Sequence, residues 1–193
     1  LRGSHNHPVL CLVPVAGVPM FQWLRLDEIT VGTVVCLARN AATTALPMAD
    51  EMMLGTLLGG WVSEGFASAG RAGFNNTDPD YFRYVLEAYD TLVGGPRYVY
   101  ERTLKRSGKT IHELDVQRME AFAAGPLAEL LGLKAADKVV PEQVWRGTAG
   151  LKRAFLMALF EGDGGVRLAN DRSVTVQYST YSHDLARDVQ ELL

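Results

Sequence analysis

Leu57-Leu58-Gly59-Gly60-Trp61-Val62-Ser63-Glu64-Gly65 decides the fold, because the chain repeats its plan at Leu156-Met157-Ala158-Leu159-Phe160-Glu161-Gly162-Asp163-Gly164. Each copy follows an apolar run of helical character and ends on an acid followed by glycine. In each, a small residue stands five positions before the acid: Gly59 before Glu64, and Ala158 before Asp163. Small residues also recur four apart, at Gly55 and Gly59 and at Ala154, Ala158 and Gly162, so each set lies on one helix face. A stripe of small residues lets two helix backbones approach closely. If the two helices pack in parallel, their C-terminal ends coincide and Glu64 and Asp163 become neighbours. Adjacent carboxylates repel, so one tends to hold a proton unless a cation lies between them. Hard oxygen donors of this kind suit Mg²⁺, which keeps several waters and takes phosphate oxygens from its substrate. Such an ion, set between carboxylates and a phosphodiester, activates water and stabilises the leaving oxygen. Two unrelated buried helices with solvated terminal acids are the alternative, and they leave the matched spacing unexplained.

At these residues the chain resembles the LAGLIDADG homing endonucleases. LLGGWVSEG and LMALFEGDG keep the small third residue, the acidic eighth and the glycine ninth of that family's signature, and depart from it in the middle letters. The resemblance implies an α+β fold of αββαββα pseudo-repeats and a site-specific DNA endonuclease using Mg²⁺ (or Mn²⁺). It also implies that Glu64 and Asp163 bind the ions with the main-chain carbonyls of Ser63 and Gly162. Lys138, in Asp137-Lys138-Val139-Val140-Pro141, matches a lysine associated with catalysis in the intein-encoded members. From chemistry alone it reads as an exposed loop lysine.

The N-terminus carries a second resemblance. Gly3-Ser4-His5-Asn6-His7-Pro8-Val9-Leu10-Cys11-Leu12-Val13 looks like the middle of an intein splicing (Hint) domain, and is similar to the inteins of mycobacterial DNA gyrase, in its A-type polypeptide. His7 matches the histidine that assists the first acyl shift, and Ser4 stands where threonine is more usual. The N-terminal nucleophile and the C-terminal His-Asn pair of an intein are absent, so the chain is expected to be a fragment with respect to splicing.

With 193 residues and 48% hydrophobic composition, the chain is long and apolar enough for one or two real cores. No apolar run reaches the ~18 residues of a membrane span and no signal peptide is visible. Cys11 and Cys36 form neither a metal-ligand spacing nor a disulfide framework, so a reduced, cytoplasmic protein is the expectation. The formal net charge of −3 counts against a nucleic-acid binder, but the distribution does not. Arg97, Arg102, Lys105, Arg106 and Lys109, interleaved with Tyr98 and Tyr100 and opposed only by Glu101, fit a strand pair on DNA; a solvated hairpin is the plainer reading. Arg71 and Arg167, after the two motifs, complete the expected contact set.

The expected organisation is a β-rich Hint segment at 1–45, a first repeat at 46–147 and a second, incomplete repeat at 148–193. In the first segment, strands at Val9–Val13, Phe21–Leu26 and Val31–Ala38 are broken by Pro8, Pro14, Pro19 and Gly32. Helix then runs from about Met48 to Ser63, followed by a strand-like stretch from Phe66 to Asn75. A helix from Asp78-Pro79 to about Leu92 has its apolar face at Tyr81, Tyr84, Val85, Ala88 and Tyr89. Strands at Tyr98–Leu104 and Thr110–Leu114 and helices near Arg118–Leu131 close the repeat. The second opens with helix from Thr148 to Gly162, continues with strands at Gly165–Leu168 and Val174–Tyr178, and ends in a helix from Ser182. The expected partners are double-stranded DNA, the intein-less host gene in particular, and the host protein (extein) before splicing. No membrane is expected, and the protein reads as a monomer with internal pseudo-symmetry. A catalytically inactive DNA-binding remnant or regulator of the same architecture is the alternative.

Overall fold

The structure is a computed structural model, and it describes residues 3–36, 48–169 and 173–193. The chain divides into two compact units, Leu1–Ala41 and Ala42–Leu193.

In the first unit, β1 (Pro8–Val15) and β2 (Val18–Arg25) form an antiparallel hairpin, and β3 (Val34–Val35) pairs with β1 at Cys11 and Leu12. The two-residue turn, Ala16-Gly17, has positive φ at both positions (50° and 83°), as hairpin turns matching strand twist require. Pro14 and Pro19, expected to break strands, instead lie within them and face each other across the hairpin. Pro19 belongs to an edge strand, where a missing N–H costs little. The third strand is shorter than expected; residues 37 onward of that reading, and the boundary drawn at 45, fall outside the described residues. Ser4 and His7 form a reverse turn in which the His7 N–H donates to the Ser4 carbonyl (2.9 Å), and both residues are exposed.

The second unit runs α1 (Met48–Ser63), β4 (Gly65–Ala67), β5 (Ala72–Asn76), α2 (Pro79–Leu92), β6 (Arg97–Thr103), β7 (Thr110–Val116), α3 (Met119–Ala124), α4 (Glu142–Trp145), α5 (Ala149–Asp163), β8 (Gly164–Ala169), β9 (Ser173–Tyr178) and α6 (His183–Leu192). The helix starts follow local chemistry. Asp78 accepts from the N–H groups of Asp80 and Tyr81 with Pro79 in the first turn, Thr148 caps α5 and Ser182 caps α6.

Three expectations change. Phe66–Asn75 is not one strand but the hairpin β4–β5, closed where Ser68 donates its N–H to the Arg71 carbonyl (2.7 Å). On α2 the buried face takes Phe82 in place of Tyr84, which is exposed; Phe82 stacks on Phe74. Of the helices near Arg118–Leu131 only the short α3 and a single 3₁₀ turn at Ala128–Leu130 form, because Gly125-Pro126 interrupts the run.

α1 is the axis of this unit. Leu57 to Val62 are all buried, the mark of a helix surrounded on every side. Gly59 faces α5, where an added Cβ would meet the Phe155 carbonyl oxygen, Ala158 Cβ at 2.9 Å and Leu159 N at 3.1 Å. Gly60 faces α2, where a Cβ would lie 2.8 Å from Val85 Cγ2. The paired glycines thus allow α1 to be clasped by two helices at once. Gly55 meets Leu151 and Ala154 on α5, Gly59 meets Phe155 and Ala158, and Gly162 meets Ser63 and Glu64. The register advances in the same direction on both helices, so they are parallel.

β4, β5, β7 and β6 form, in that order, a wholly antiparallel four-stranded sheet. Ala67, Ala72, Phe74, Leu114 and Val116 bury its inner face. Alternation puts Phe66, Asn75, Tyr98, Tyr100, Arg102, Glu113 and Asp115 on the outer face. β8 and β9 form a separate two-stranded sheet.

Candidate metal and nucleic-acid site

The last turns of α1 and α5 carry the acids to one place. Gly162 lies so close to α1 that an added Cβ would run into Ser63 Oγ and sit 3.2 Å from Glu64 Cγ. Around this junction the structure gathers Glu64, Asp163, Lys138, Ser63 and Gly162. The Ser63 hydroxyl is turned back into its own helix, where it donates to the carbonyls of Gly59 and Gly60 (3.0 Å each). Tyr81 Oη donates to the Ala158 carbonyl (2.6 Å), so α2 ties itself to the α5 backbone. At the other end of the helix pair the Thr148 hydroxyl donates to buried Glu51 (2.6 Å).

Electrostatics mark the junction. Burial, then the charge of Asp163, raises the Glu64 carboxyl, with Lys138 opposing. Burial likewise raises Asp163 against the pull of Lys138. Lys138 itself is lowered by burial, with Asp163 and Glu64 opposing. Burial pushes the Tyr178 phenol up to about 12, with the Asp163 charge adding to it, and Tyr81 is raised further for the same main reason. Two carboxylates that resist ionisation beside one cation have room for more positive charge.

The donor set fits a hard divalent ion: two half-buried carboxylates and the main-chain carbonyls of Ser63 and Gly162, with no sulfur or imidazole. Among the described residues no three His, Cys, Asp or Glu side chains converge on one point. An ion here therefore needs water and a ligand's oxygens to complete its shell, which is usual for Mg²⁺. Lys138 is not a loop lysine in solvent. Its Nζ donates to the carbonyls of Val62 (2.7 Å), Gly65 (3.2 Å) and Ser63 (3.3 Å), which are among the orphan acceptors at the end of α1.

The expected DNA-contact residues divide into two groups. Arg71 pairs with Asp115 (3.2 Å), Arg97 with Asp90 (2.5 Å) and Arg102 with Glu113 (2.6 Å). Lys105, Arg106 and Lys109, at the β6–β7 turn, and Arg167 on β8 are exposed; among the described residues none of the four has an ion-pair partner. Sequence reasoning passed over Tyr81, read only as apolar, and over Glu51, Ser182 and Asp188. Ser182 carried a signal, as a helix cap; the others had none that local spacing could supply. His7 and Ser4 belong to the other unit. Among the described residues no helix is long and apolar enough to cross a membrane.

Residues 150–193 match the LAGLIDADG-like domain family. Over its full length the chain is 48% identical to the DNA gyrase A polypeptide of Mycolicibacterium flavescens and 43% identical to that of Mycobacterium leprae (strain TN), covering 35% and 15% of those proteins. The chain thus spans about a third or less of the length of these curated relatives. The homing endonuclease I-WcaI bound to its DNA recognition sequence is similar in fold, with a TM-score of 0.51 at 17% identity over 80% of this chain and 70% of that one. The N-terminal LAGLIDADG domain of DUF199/WhiA gives 0.50 at 12% identity, over 79% and 68%. At these identities the likeness speaks for the fold.

Proposed function

We propose that this chain, which carries a LAGLIDADG-like domain, is the endonuclease part of an intein and makes a site-specific double-strand break in DNA by metal-dependent phosphodiester hydrolysis. The observation that carries this reading is the meeting of Glu64 and Asp163 at the ends of two parallel helices, beside Lys138. Glu64 and Asp163, with the carbonyls of Ser63 and Gly162, would hold Mg²⁺ or Mn²⁺. When bound, such an ion supplies Lewis acidity at the scissile phosphate. The small residues of the helix seam hold the two carboxylates side by side. Lys105, Arg106, Lys109 and Arg167 would meet DNA phosphates, which carry affinity but not sequence. The outer face of the four-stranded sheet offers Tyr98, Tyr100, Asn75 and the held guanidinium groups of Arg71 and Arg102 to the bases, with Arg97 at its margin.

In this reading the partner is double-stranded DNA, the uninterrupted gene for the gyrase A polypeptide. The chain is cytoplasmic, is joined to its host protein before splicing, and acts as one pseudo-symmetric copy. His7 and Ser4 belong to the splicing segment. One observation favours the second reading, a DNA-binding remnant without cleavage: Lys138 already satisfies the end of α1, so the junction holds together on protein groups alone.

Duplex DNA containing the uninterrupted gene, incubated with the protein and either Mg²⁺ or a chelator, tests the proposal. Cutting is expected only with the ion. Glu64→Gln and Asp163→Asn should abolish double-strand cutting while leaving the dissociation constant nearly unchanged. Cutting by either variant would remove that carboxylate from the site. Binding without any cutting by the parent protein would favour the remnant.

A further inference from the structure

The segment that delivers Lys138 is held by two side chains from the far end of the chain. Ser182 is buried, 1% exposed. Its hydroxyl accepts the Leu185 N–H (3.1 Å) as the cap of α6 and at the same time donates to the Lys138 carbonyl (2.6 Å). Six residues on, Asp188 accepts the Val140 N–H (3.0 Å) through Oδ2. Lys138 and Val140 are thus gripped through a carbonyl and an N–H two residues apart, a contact that fixes both position and direction of the strand-like segment. Next to the first grip, the Lys138 side chain spends its three donors on the carbonyls of Val62, Ser63 and Gly65. A cap needs only one of Ser182's hydrogen-bonding roles; its second bond and the Asp188 bond serve the Lys138 segment.

We propose that Ser182 and Asp188 are positioning residues: they hold Lys138 over the C-terminal end of α1, so that the helix of the second repeat sets the carbonyl of Ser63 and the carboxylate of Glu64 in the first. The inference rests on the reading of this junction as the metal and DNA site, but the contact it describes can be observed without cleavage. The physical logic is that a helix end with unsatisfied carbonyls frays, and a lysine on a loose segment can cap it only by ordering that segment's backbone as well. The bonds from Ser182 and Asp188 supply that backbone order.

The test is Ser182→Gly, because glycine is well tolerated at a helix cap but cannot donate to the Lys138 carbonyl. It is combined with Asp188→Ala, which leaves no acceptor for the Val140 N–H, and Ser182→Thr serves as the conservative rescue. The ¹³Cε and ¹⁵Nζ resonances of Lys138 are identified by their disappearance in Lys138→Arg. In the parent protein they should show an ammonium shielded from solvent exchange; in Ser182→Gly/Asp188→Ala they should move to the values of free lysines while circular dichroism and the thermal midpoint show a folded protein. Ser182→Thr should restore the parent signals. With Mg²⁺ and DNA, the single-turnover cleavage rate of the double variant should fall about tenfold at unchanged DNA affinity, the scale on which partners behind a metal site act. Unchanged Lys138 resonances in the folded double variant would overturn the proposal whatever the cleavage result. If the double variant unfolds, Asp188→Ala alone decides by the same resonances. Absence of cleavage by the parent, with Lys138 shifting as expected, would count against the nuclease reading and leave this one standing.

Discussion

Trp61 and Phe160 stand at the same place in the two motifs, three residues before the acid, and meet opposite fates. Trp61 is fully buried, with Tyr89 stacked on it at 5.4 Å and Phe122 and Phe74 at 5.7 and 5.9 Å. Phe160 is half-buried, and its one ring contact among the described residues is Tyr178 at 5.2 Å. The sheets that follow differ in the same way. Phe74 on β5 is wholly enclosed because β7 and β6 extend the sheet and α2 covers it. On the β8–β9 hairpin, Val166, Leu168, Val174 and Val176 share one face and remain 71, 70, 63 and 61% exposed. The motif therefore encodes a helix, a close seam and an acid at its end. Whether the aromatic three residues upstream becomes core depends on strands that lie outside the motif.

Truncating the two rings should separate the two halves most strongly. Trp61→Ala should cost about 3–5 kcal/mol, as for a large buried aromatic, and Phe160→Ala only about 1–2 kcal/mol, reduced by its partial burial. Equal losses in chemical denaturation would mean that the two halves are equally closed. The helix seam comes next. Gly59→Leu must push Phe155 and Ala158 aside and should lower stability by about 1–3 kcal/mol or more. Gly165→Leu, with nothing near the position, should leave the unfolding midpoint almost unmoved; if Gly59→Leu behaves the same way, the seam is not a close one.

Smaller still is the effect of polarity on the two sheets. Val176→Thr on the open hairpin should stay within about 0.5 kcal/mol of the parent, as surface changes do. A loss of core size there, read from the thermal midpoint, would show that the hairpin face is covered in solution. The last contrast is one of pH. Glu64 is raised in the folded protein, so its protonated form favours folding: that stability is present below the unfolded-state value and lost as pH rises through the folded-state value. In chelator, Glu64→Gln should therefore stabilise the protein at neutral pH, with the gain fading as pH falls through the carboxylate range. A pH-independent gain for Glu64→Gln would assign it to packing instead of charge.

Much of the helical frame was legible in the sequence, for a local reason. Small residues four apart, a capping Asp or Thr and a glycine after an acid act through bonds within one or two helical turns. They determined that α1 and α5 each carry a seam of small residues and end on an acid, and that α2, α5 and α6 begin where they do; that the two helices run parallel follows only from their contacts in the folded protein. The tertiary structure decided what depends on distant partners. An apolar run such as Phe66–Asn75 suits one strand or a hairpin, and only pairing with β7 selected the hairpin. Phe82 and Tyr84 are both compatible with the buried side of α2, and only the position of Phe74 chose between them. Arg71 and Arg102 carry the charge of DNA-contact residues, but Asp115 and Glu113, 44 and 11 residues away, hold them in place. Lys138 was readable as a position; its carbonyl partners lie 73 to 76 residues away. Polar pairs of this range are set by the meeting of folded surfaces, and no periodicity along the chain can encode them.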